Sequence, residues 1–194
     1  DHNLEFEIPE NFPNVTNDYL LSSIENFDGW IVGDDDASFS VLQAGSQGNL
    51  KAVIKWGVGT DNIDIDACEK LNLCFAHTPN MFGKEVADVA VGYLIALSRH
   101  LVEINNRVKN GEWPKLTGHS LHGKTIGLLG YGDIGRETAI RLNAMGMKII
   151  CWDPGIKELE QELNSASLEV WPKNFNKCDY MILTCSLNKT TEYI

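Results

Sequence analysis

A short apolar strand that runs into a G-x-G-x-x-G sequence limits the possible folds of this chain more than any other feature. Residues 125–129 form the predicted strand, the glycines are Gly130, Gly132 and Gly135, and residues 133–145 form the predicted helix. The first glycine allows a tight turn, the second lets a pyrophosphate approach the backbone, and the third lets the helix pack against the sheet. The helix N-terminus offers free N–H groups and a partial positive charge to an anion. The pattern therefore predicts a dinucleotide-binding turn.

An acidic residue follows at the position that would meet the ribose. A second apolar strand, residues 147–152, ends at Asp153, which lies 18 positions after Gly135. A carboxylate there accepts hydrogen bonds from ribose hydroxyls and repels a 2′-phosphate, so the cofactor is predicted to be NAD and not NADP. Two alternatives stay open: a glycine-rich strand–turn–helix with a solvated Asp153, and a methyltransferase that binds its cofactor's ribose through the same acid.

The composition is that of a globular protein. Hydrophobic residues make up 43% of the 194 residues and charged residues 22%, which are ordinary fractions. The formal net charge of −11 argues against a nucleic-acid or anionic-membrane partner, because no basic surface would attract phosphates. The most apolar run, residues 86–97, contains Asp88 and is too short to span a bilayer.

The cysteines and histidines do not suggest a metal site. No C-x-x-C or H-E-x-x-H spacing occurs, and a protein zinc site needs several ligands held together. Five scattered cysteines in apolar surroundings are typical of reduced, buried thiols and indicate a cytoplasmic setting.

Strand-like and helix-like segments alternate along the chain, which predicts an α/β fold with parallel sheets. The alternating pattern of residues 4–8 predicts a half-buried strand, and residues 157–163 predict a charged helix. Asp64 is a predicted N-cap for a helix over residues 65–71. Residues 84–110 lack proline and predict one helix about 40 Å long. Two α/β domains separated by this helix are expected.

Five blocks of the chain resemble the D-isomer-specific 2-hydroxyacid dehydrogenases, and most closely their phosphoglycerate-dehydrogenase-like members. The blocks occur in the family's order and are residues 55–64 (K-W-G-V-G-T-D-N-I-D), 77–80 (H-T-P-N), 86–88 (V-A-D), 130–135 with Asp153–Pro154, and 178–187 (C-D-Y-M-I-L-T-C-S-L).

The resemblance implies two doubly wound parallel-sheet domains, both partial. Residues 1–80 would be the N-terminal part of a flavodoxin-like substrate-binding domain. Residues 81–194 would be a Rossmann NAD-binding domain that is incomplete at its C-terminus and includes a dimerisation helix. Hydride would pass between a small D-2-hydroxy acid and the nicotinamide in the cleft between the domains, in a cytoplasmic homodimer.

The resemblance also assigns substrate-binding roles. The N–H groups of Val58 and Gly59 would hold the substrate carboxylate, since successive amides form an anion-binding nest. Asp61 and Asn62 would fix this loop. Lys55 stands where phosphoglycerate-specific members often carry an arginine, and a lysine can neutralise a phosphate only as a point charge. Lys55 would therefore be a substrate residue, with a solvated strand lysine as the alternative.

Further roles concern the cofactor. Beside Gly130, Gly132, Gly135 and Asp153, the backbone amides of Asp133 and Ile134 would bind the pyrophosphate. Cys185 and Val58 would line the nicotinamide pocket, although Cys185 could equally be an ordinary core thiol.

The family's catalytic arginine, glutamate and histidine match no residue of this chain and are expected beyond Ile194. The 194 residues alone are therefore expected to be inactive. The substrate would be 3-phosphoglycerate, hydroxypyruvate or glyoxylate, so the protein could be a glyoxylate/hydroxypyruvate reductase. The alternative from another class is a non-catalytic, NAD-responsive protein like the C-terminal-binding-protein corepressors.

Overall fold

Two structural units make up the chain, Asp1–Pro79 and Asn80–Ile194. Each unit is built from parallel strands and helices, so the predicted α/β fold with parallel sheets is confirmed. The computed structural model describes residues 4–10, 12–13, 15–159, 163 and 165–194.

The first unit contains a sheet of three parallel strands, which lie in the sheet in their sequence order. Asp64 caps the third helix by accepting a 2.9 Å hydrogen bond from the Ala67 N–H, which confirms its predicted role. The strands are β1 (Gly29–Val32), β2 (Ala52–Lys55) and β3 (Cys74–His77), and the helices are α1 (Asn17–Ser23), α2 (Phe39–Gln47) and α3 (Ile65–Lys70).

The second unit contains β4 (Thr125–Leu129), β5 (Lys148–Trp152), β6 (Ala166–Glu169) and β7 (Tyr180–Leu183), which form a four-stranded parallel sheet in the order β6-β5-β4-β7. Four residues of β4 and four of β5 are buried, as expected for parallel strands that are covered on both faces. The helices are α4 (Gly83–Ser98), α5 (Leu101–Lys109) and α6 (Asp133–Ala144).

The prediction of one helix over residues 84–110 is wrong. The segment forms α4 and α5, which are separated by Arg99 and His100. His100 has a left-handed backbone with φ of 55°, and such a residue cannot continue a right-handed helix. The break falls where the sequence changes from apolar to amphipathic, and neither glycine nor proline marks it.

Two smaller predictions also fail. Residues 4–9 form no strand, and no strand among the described residues pairs with them. Without a neighbouring strand, the backbone N–H and C=O groups of an alternating segment form hydrogen bonds with water instead. Residues 157–159 of the predicted helix 157–163 are not helical, and residues 160–162 and 164 lie outside the described residues. A charged segment this short does not nucleate a helix by itself.

The five cysteines are free, but they are not uniformly buried. Cys68 and Cys151 are buried, Cys178 and Cys185 are half-buried, and Cys74 is exposed. Within the described parts of the chain, no helix has the length and hydropathy that a membrane span needs. The same residues contain no cluster of three or more His, Cys, Asp or Glu side chains suited to a metal ion.

Candidate functional site

The turn after β4 requires glycine at its first position. Gly130 has φ of +97°, and a Cβ on it would lie 2.5 Å from the Cys185 backbone nitrogen. Thr184 fixes the same turn, because its N–H donates to Leu129 O at 2.8 Å and its hydroxyl donates to Gly130 O at 2.8 Å. The chain after β7 therefore holds the glycine-rich turn in place, a role for Thr184 that the sequence did not reveal.

The other two glycines of the motif have different surroundings. A Cβ on Gly135 would collide with the Gly130 carbonyl oxygen, so α6 packs directly against the turn. A Cβ on Gly132 would meet no heavy atom of the described residues within 4 Å. Gly132 thus borders open space, where a ligand can approach the backbone closely.

Open space at Gly132 coincides with the free N-terminus of α6. Gly132 is the N-cap, and no side chain of the described residues caps this helix. The first N–H groups of an α-helix have no partner within the helix, so those of Asp133 and Ile134 are available to an anion. The turn lies between β4 and β7 in the sheet, where the strand order reverses and where doubly wound folds bind nucleotides.

Asp153 stands beside this turn at the end of β5. Its Oδ2 accepts a 2.7 Å hydrogen bond from the Tyr131 N–H, and its Oδ1 accepts a 2.8 Å hydrogen bond from the Gly155 N–H. A carboxylate has about four lone-pair sites, so further acceptor capacity is left for hydroxyl donors. Open space at Gly132, a free helix N-terminus and a positioned carboxylate together fit the pyrophosphate and ribose of NAD.

The Asp133 carboxylate lies against the first residue of α4. A Cβ on Gly83 would approach its carboxylate atoms to 2.5 Å, so Gly83 makes room for this group. Asp133 Oδ2 is buried and has no hydrogen-bond partner among the described residues. The positive end of α4 stabilises a carboxylate at this place. Asp133 therefore connects the start of α4 with the start of α6, which sequence spacing could not show.

Two cysteines lie close to this site. Cys185 packs against the core cluster of Leu129, Ile150 and Trp152, and its contact with the nicotinamide stays a prediction. Burial, and then the nearby Asp153 carboxylate, raise the pKa of the Cys151 thiol to about 12. Cys151 is therefore an inert thiol of the core.

The loop after β2 in the first unit exposes two backbone amides. Gly57 and Thr78 tie the loop to the end of β3, since Gly57 N–H donates to Thr78 Oγ1 at 3.0 Å and Thr78 N–H donates to Gly57 O at 3.1 Å. The N–H groups of Val58 and Gly59 have no acceptor within the described residues. Successive free amides of this kind can hold a carboxylate.

Lys55 is not a solvated strand residue, because only 7% of it is exposed. Its Nζ donates to Gly33 O and, at 3.0 Å, to Asn62 Oδ1. Asn62 Nδ2 donates in turn to Gly33 O and Asp35 O, at 3.1 and 2.6 Å. Asn62 therefore fixes the loop, as predicted, and it also holds Lys55 in place.

A polar pocket of about 410 Å³ opens beside Lys55. Sequence reasoning missed one residue at its wall, Asp34. The acidic run that follows β1 was the available signal for Asp34, since the carboxyl ends of neighbouring parallel strands meet at one edge of the sheet. The pocket is lined by Asp34, Lys55, Trp56, Gly57, Gly59, Asp61 and Asn62.

Comparison with known proteins agrees with this geometry. Residues 91–194 match the family model described as D-isomer specific 2-hydroxyacid dehydrogenase, NAD binding domain. Hydroxypyruvate reductase of Thermotoga maritima is 33% identical over 180 residues, covering 91% of this chain and 57% of that protein. Human D-3-phosphoglycerate dehydrogenase is 30% identical over 191 residues, covering 92% of this chain and 34% of that protein.

Solved structures show the same likeness. The NAD⁺-bound 3-phosphoglycerate dehydrogenase of Entamoeba histolytica superposes with a TM-score of 0.74 at 26% identity, covering 91% of this chain and 52% of that one. The chain spans 34% to 57% of the length of the two relatives above. From the family model, the relatives and the fold together, the chain belongs to the D-isomer-specific 2-hydroxyacid dehydrogenase family and contains its NAD-binding domain.

Proposed function

We propose that the protein containing this chain is an NAD-dependent oxidoreductase that acts on the CH–OH group of a small D-2-hydroxy acid. The observation that carries the proposal is the uncapped start of α6, which opens at Gly132 beside the Asp153 carboxylate. Hydroxypyruvate reductase, glyoxylate reductase and D-3-phosphoglycerate dehydrogenase are among the relatives. All three names fit the proposed substrate class, a short acid with a hydroxyl or oxo group at C2.

In the proposed cofactor site, each residue has a distinct task. Gly130 and Gly135 let the turn and α6 pack closely, and Gly132 leaves room for the pyrophosphate. Asp133 and Ile134 donate their backbone N–H groups to it, where a helix N-terminus favours negative charge. Asp153 accepts from the ribose hydroxyls and disfavours the 2′-phosphate of NADP.

The proposed substrate site lies in the loop after β2. Val58 and Gly59 would donate their free N–H groups to the substrate carboxylate, and the adjoining pocket beside Lys55 would take the rest of the molecule. Bound NAD supplies the hydride chemistry at C2 of the substrate. Val58 and Cys185 are the residues proposed to contact the nicotinamide, on the strength of the family resemblance.

We further propose that residues 1–80 serve substrate binding, that residues 81–194 serve NAD binding, and that the protein is a cytoplasmic homodimer. A face of α4 and α5 supports the dimer, since Tyr93, Leu97 and Val102 are 74%, 68% and 67% exposed. Sedimentation should show a dimer at micromolar concentration. A stable monomer at high concentration would remove this part of the proposal. Five free cysteines support the cytoplasmic setting.

The activity can be tested on the full-length protein. Purified protein should oxidise NADH when glyoxylate or a hydroxypyruvate-type acid is added, and NADPH should serve less well. The 194 residues of this chain should bind NADH by themselves. NADH binding by the full-length protein with no turnover of any 2-oxo acid would reject the dehydrogenase and favour an NAD-responsive binding protein.

A further inference from the structure

We propose that the pocket beside Lys55 selects unphosphorylated 2-hydroxy and 2-oxo acids over their phosphorylated counterparts. The inference rests on the proposed function, because it concerns the substrate of the same site. It distinguishes two classes of acid that the relatives' names leave open, since both a hydroxypyruvate reductase and a D-3-phosphoglycerate dehydrogenase resemble this chain.

Two hydrogen bonds within the protein already engage the Lys55 ammonium. An ammonium has three N–H donors and no acceptor. Lys55 Nζ donates to Gly33 O and to Asn62 Oδ1, and it lies 4.0 Å from Asp34 Oδ1. A phosphate could take these donors only in competition with acceptors of the protein itself.

Lys55 cannot turn toward a ligand without breaking this hydrogen-bond network. Its side chain is buried, and Asn62 joins it to the segment after β1 through hydrogen bonds to Gly33 and Asp35. Reorienting the ammonium would leave the part-buried Asn62 Oδ1 without its donor and Gly33 O with only the hydrogen bond from Asn62 Nδ2, and an unpaired acceptor shielded from water is unfavourable. Lys55 therefore acts as a fixed charge whose ammonium already donates to acceptors of the protein itself.

The charge of the pocket also disfavours a phosphate. Lys55 is the only lysine or arginine that lines it among the described residues, whereas both Asp34 and Asp61 contribute carboxylates. A phosphate ester carries about −1.5 to −2 charges near neutral pH. Such a group would enter a pocket whose own charge is already negative, while the hydroxyl of an unphosphorylated acid meets no such repulsion. The two free N–H groups of Val58 and Gly59 would donate hydrogen bonds to the carboxylate, which both kinds of substrate have.

The test is a pair of substrates that differ only in the phosphate, hydroxypyruvate and its 3-phosphate, assayed with NADH and full-length protein. The ratio of their kcat/KM values should favour the unphosphorylated acid at least tenfold. Asp34→Asn should shift this ratio several-fold toward the phosphorylated acid. Asp36→Asn, which removes an exposed acid of the same run outside the pocket, should leave the ratio unchanged.

Equal or greater kcat/KM for the phosphorylated acid would overturn the inference and leave the proposed dehydrogenase standing. A ratio that does not respond to Asp34→Asn would overturn its electrostatic basis. If neither acid is reduced although NADH binds, the proposed function fails and this inference fails with it.

Discussion

Alanine at Gly132 should weaken dinucleotide binding without unfolding the second unit. A Cβ there would contact no heavy atom of the described residues within 4 Å, and φ of −73° is accessible to alanine. Alanine is a poorer N-cap than glycine, which lowers the stability of the folded protein. A Gly→Ala change at a compatible position also stabilises the protein by about 0.4–1 kcal/mol, because it reduces the conformational entropy of the unfolded chain. The net change in unfolding free energy should stay within about 0.5 kcal/mol.

The effect on NAD should be much larger. The new methyl group would occupy the space through which the pyrophosphate reaches the N–H groups at the start of α6. Losing one hydrogen bond to a charged group costs about 1.5–3 kcal/mol, so NADH affinity should fall about 10- to 100-fold. Titration of NADH fluorescence measures the affinity, and thermal unfolding measures the stability.

Gly130→Ala is the matched variant with the opposite outcome. Its left-handed φ of +97° is strained for alanine, and its Cβ would lie 2.5 Å from the Cys185 backbone nitrogen. Strain of about 1–2 kcal/mol and overpacking of about 1–3 kcal/mol should lower the Tm of the second unit by several degrees. The reasoning is refuted if Gly132→Ala binds NADH as the wild type does, or if Gly130→Ala is as stable as the wild type.

Three further predictions concern other contacts of the structure. Gly83→Ala should weaken NADH binding several-fold, because its Cβ would displace the Asp133 carboxylate. Gly92→Ala in the same helix has open space around its Cβ and should leave NADH affinity unchanged. Equal NADH affinities of the two variants would contradict this prediction. Hydrogen bonds from Thr125 N–H and then from Lys124 lower the pKa of Asp179, so its contribution to stability is complete above the ordinary pKa of 3.8 and is lost as the pH falls through the lowered native pKa. Asp179→Asn should therefore lower the Tm at neutral pH, and the difference in Tm between variant and wild type should narrow below pH 3.8. A Tm difference that stays constant down to the pH of acid unfolding would rule this out. A thiol reagent should label the exposed Cys74 first and Cys151, whose pKa is about 12, only after unfolding, and NAD should slow the labelling of Cys185 if that residue contacts the nicotinamide.

The dinucleotide unit could be predicted because its signals are local. The strand over residues 125–129 and the start of α6 at Asp133 lie where the apolar run and the glycines place them. The contacts that require glycine at Gly130 and Gly135 are made with residues nearby in the sequence or with the chain that follows the adjacent strand β7. The resemblance to the dehydrogenase family rests on the same compact blocks of sequence.

The features that escaped prediction depend on structure that no local signal in the sequence marks. The break at His100 has no glycine or proline, and only its left-handed backbone reveals it. Lys55 is buried because Gly33, 22 positions earlier, supplies an acceptor, and a strand lysine carries no sign of that in its sequence. The acidic run after β1 marks Asp34, but Asp34 reaches the pocket because β1 pairs with β2, a pairing that spacing alone does not specify.

The central claim is that Asp153 makes this site specific for NAD, and a binding titration of NADH and NADPH tests it directly. Wild-type protein should bind NADH at least tenfold more tightly than NADPH. Asp153→Ala should lose NADH affinity and most of the discrimination, since the ribose loses its acceptor and the 2′-phosphate loses its repulsion. Unchanged NADH affinity in Asp153→Ala, or equal binding of both nucleotides by the wild type, would contradict the account.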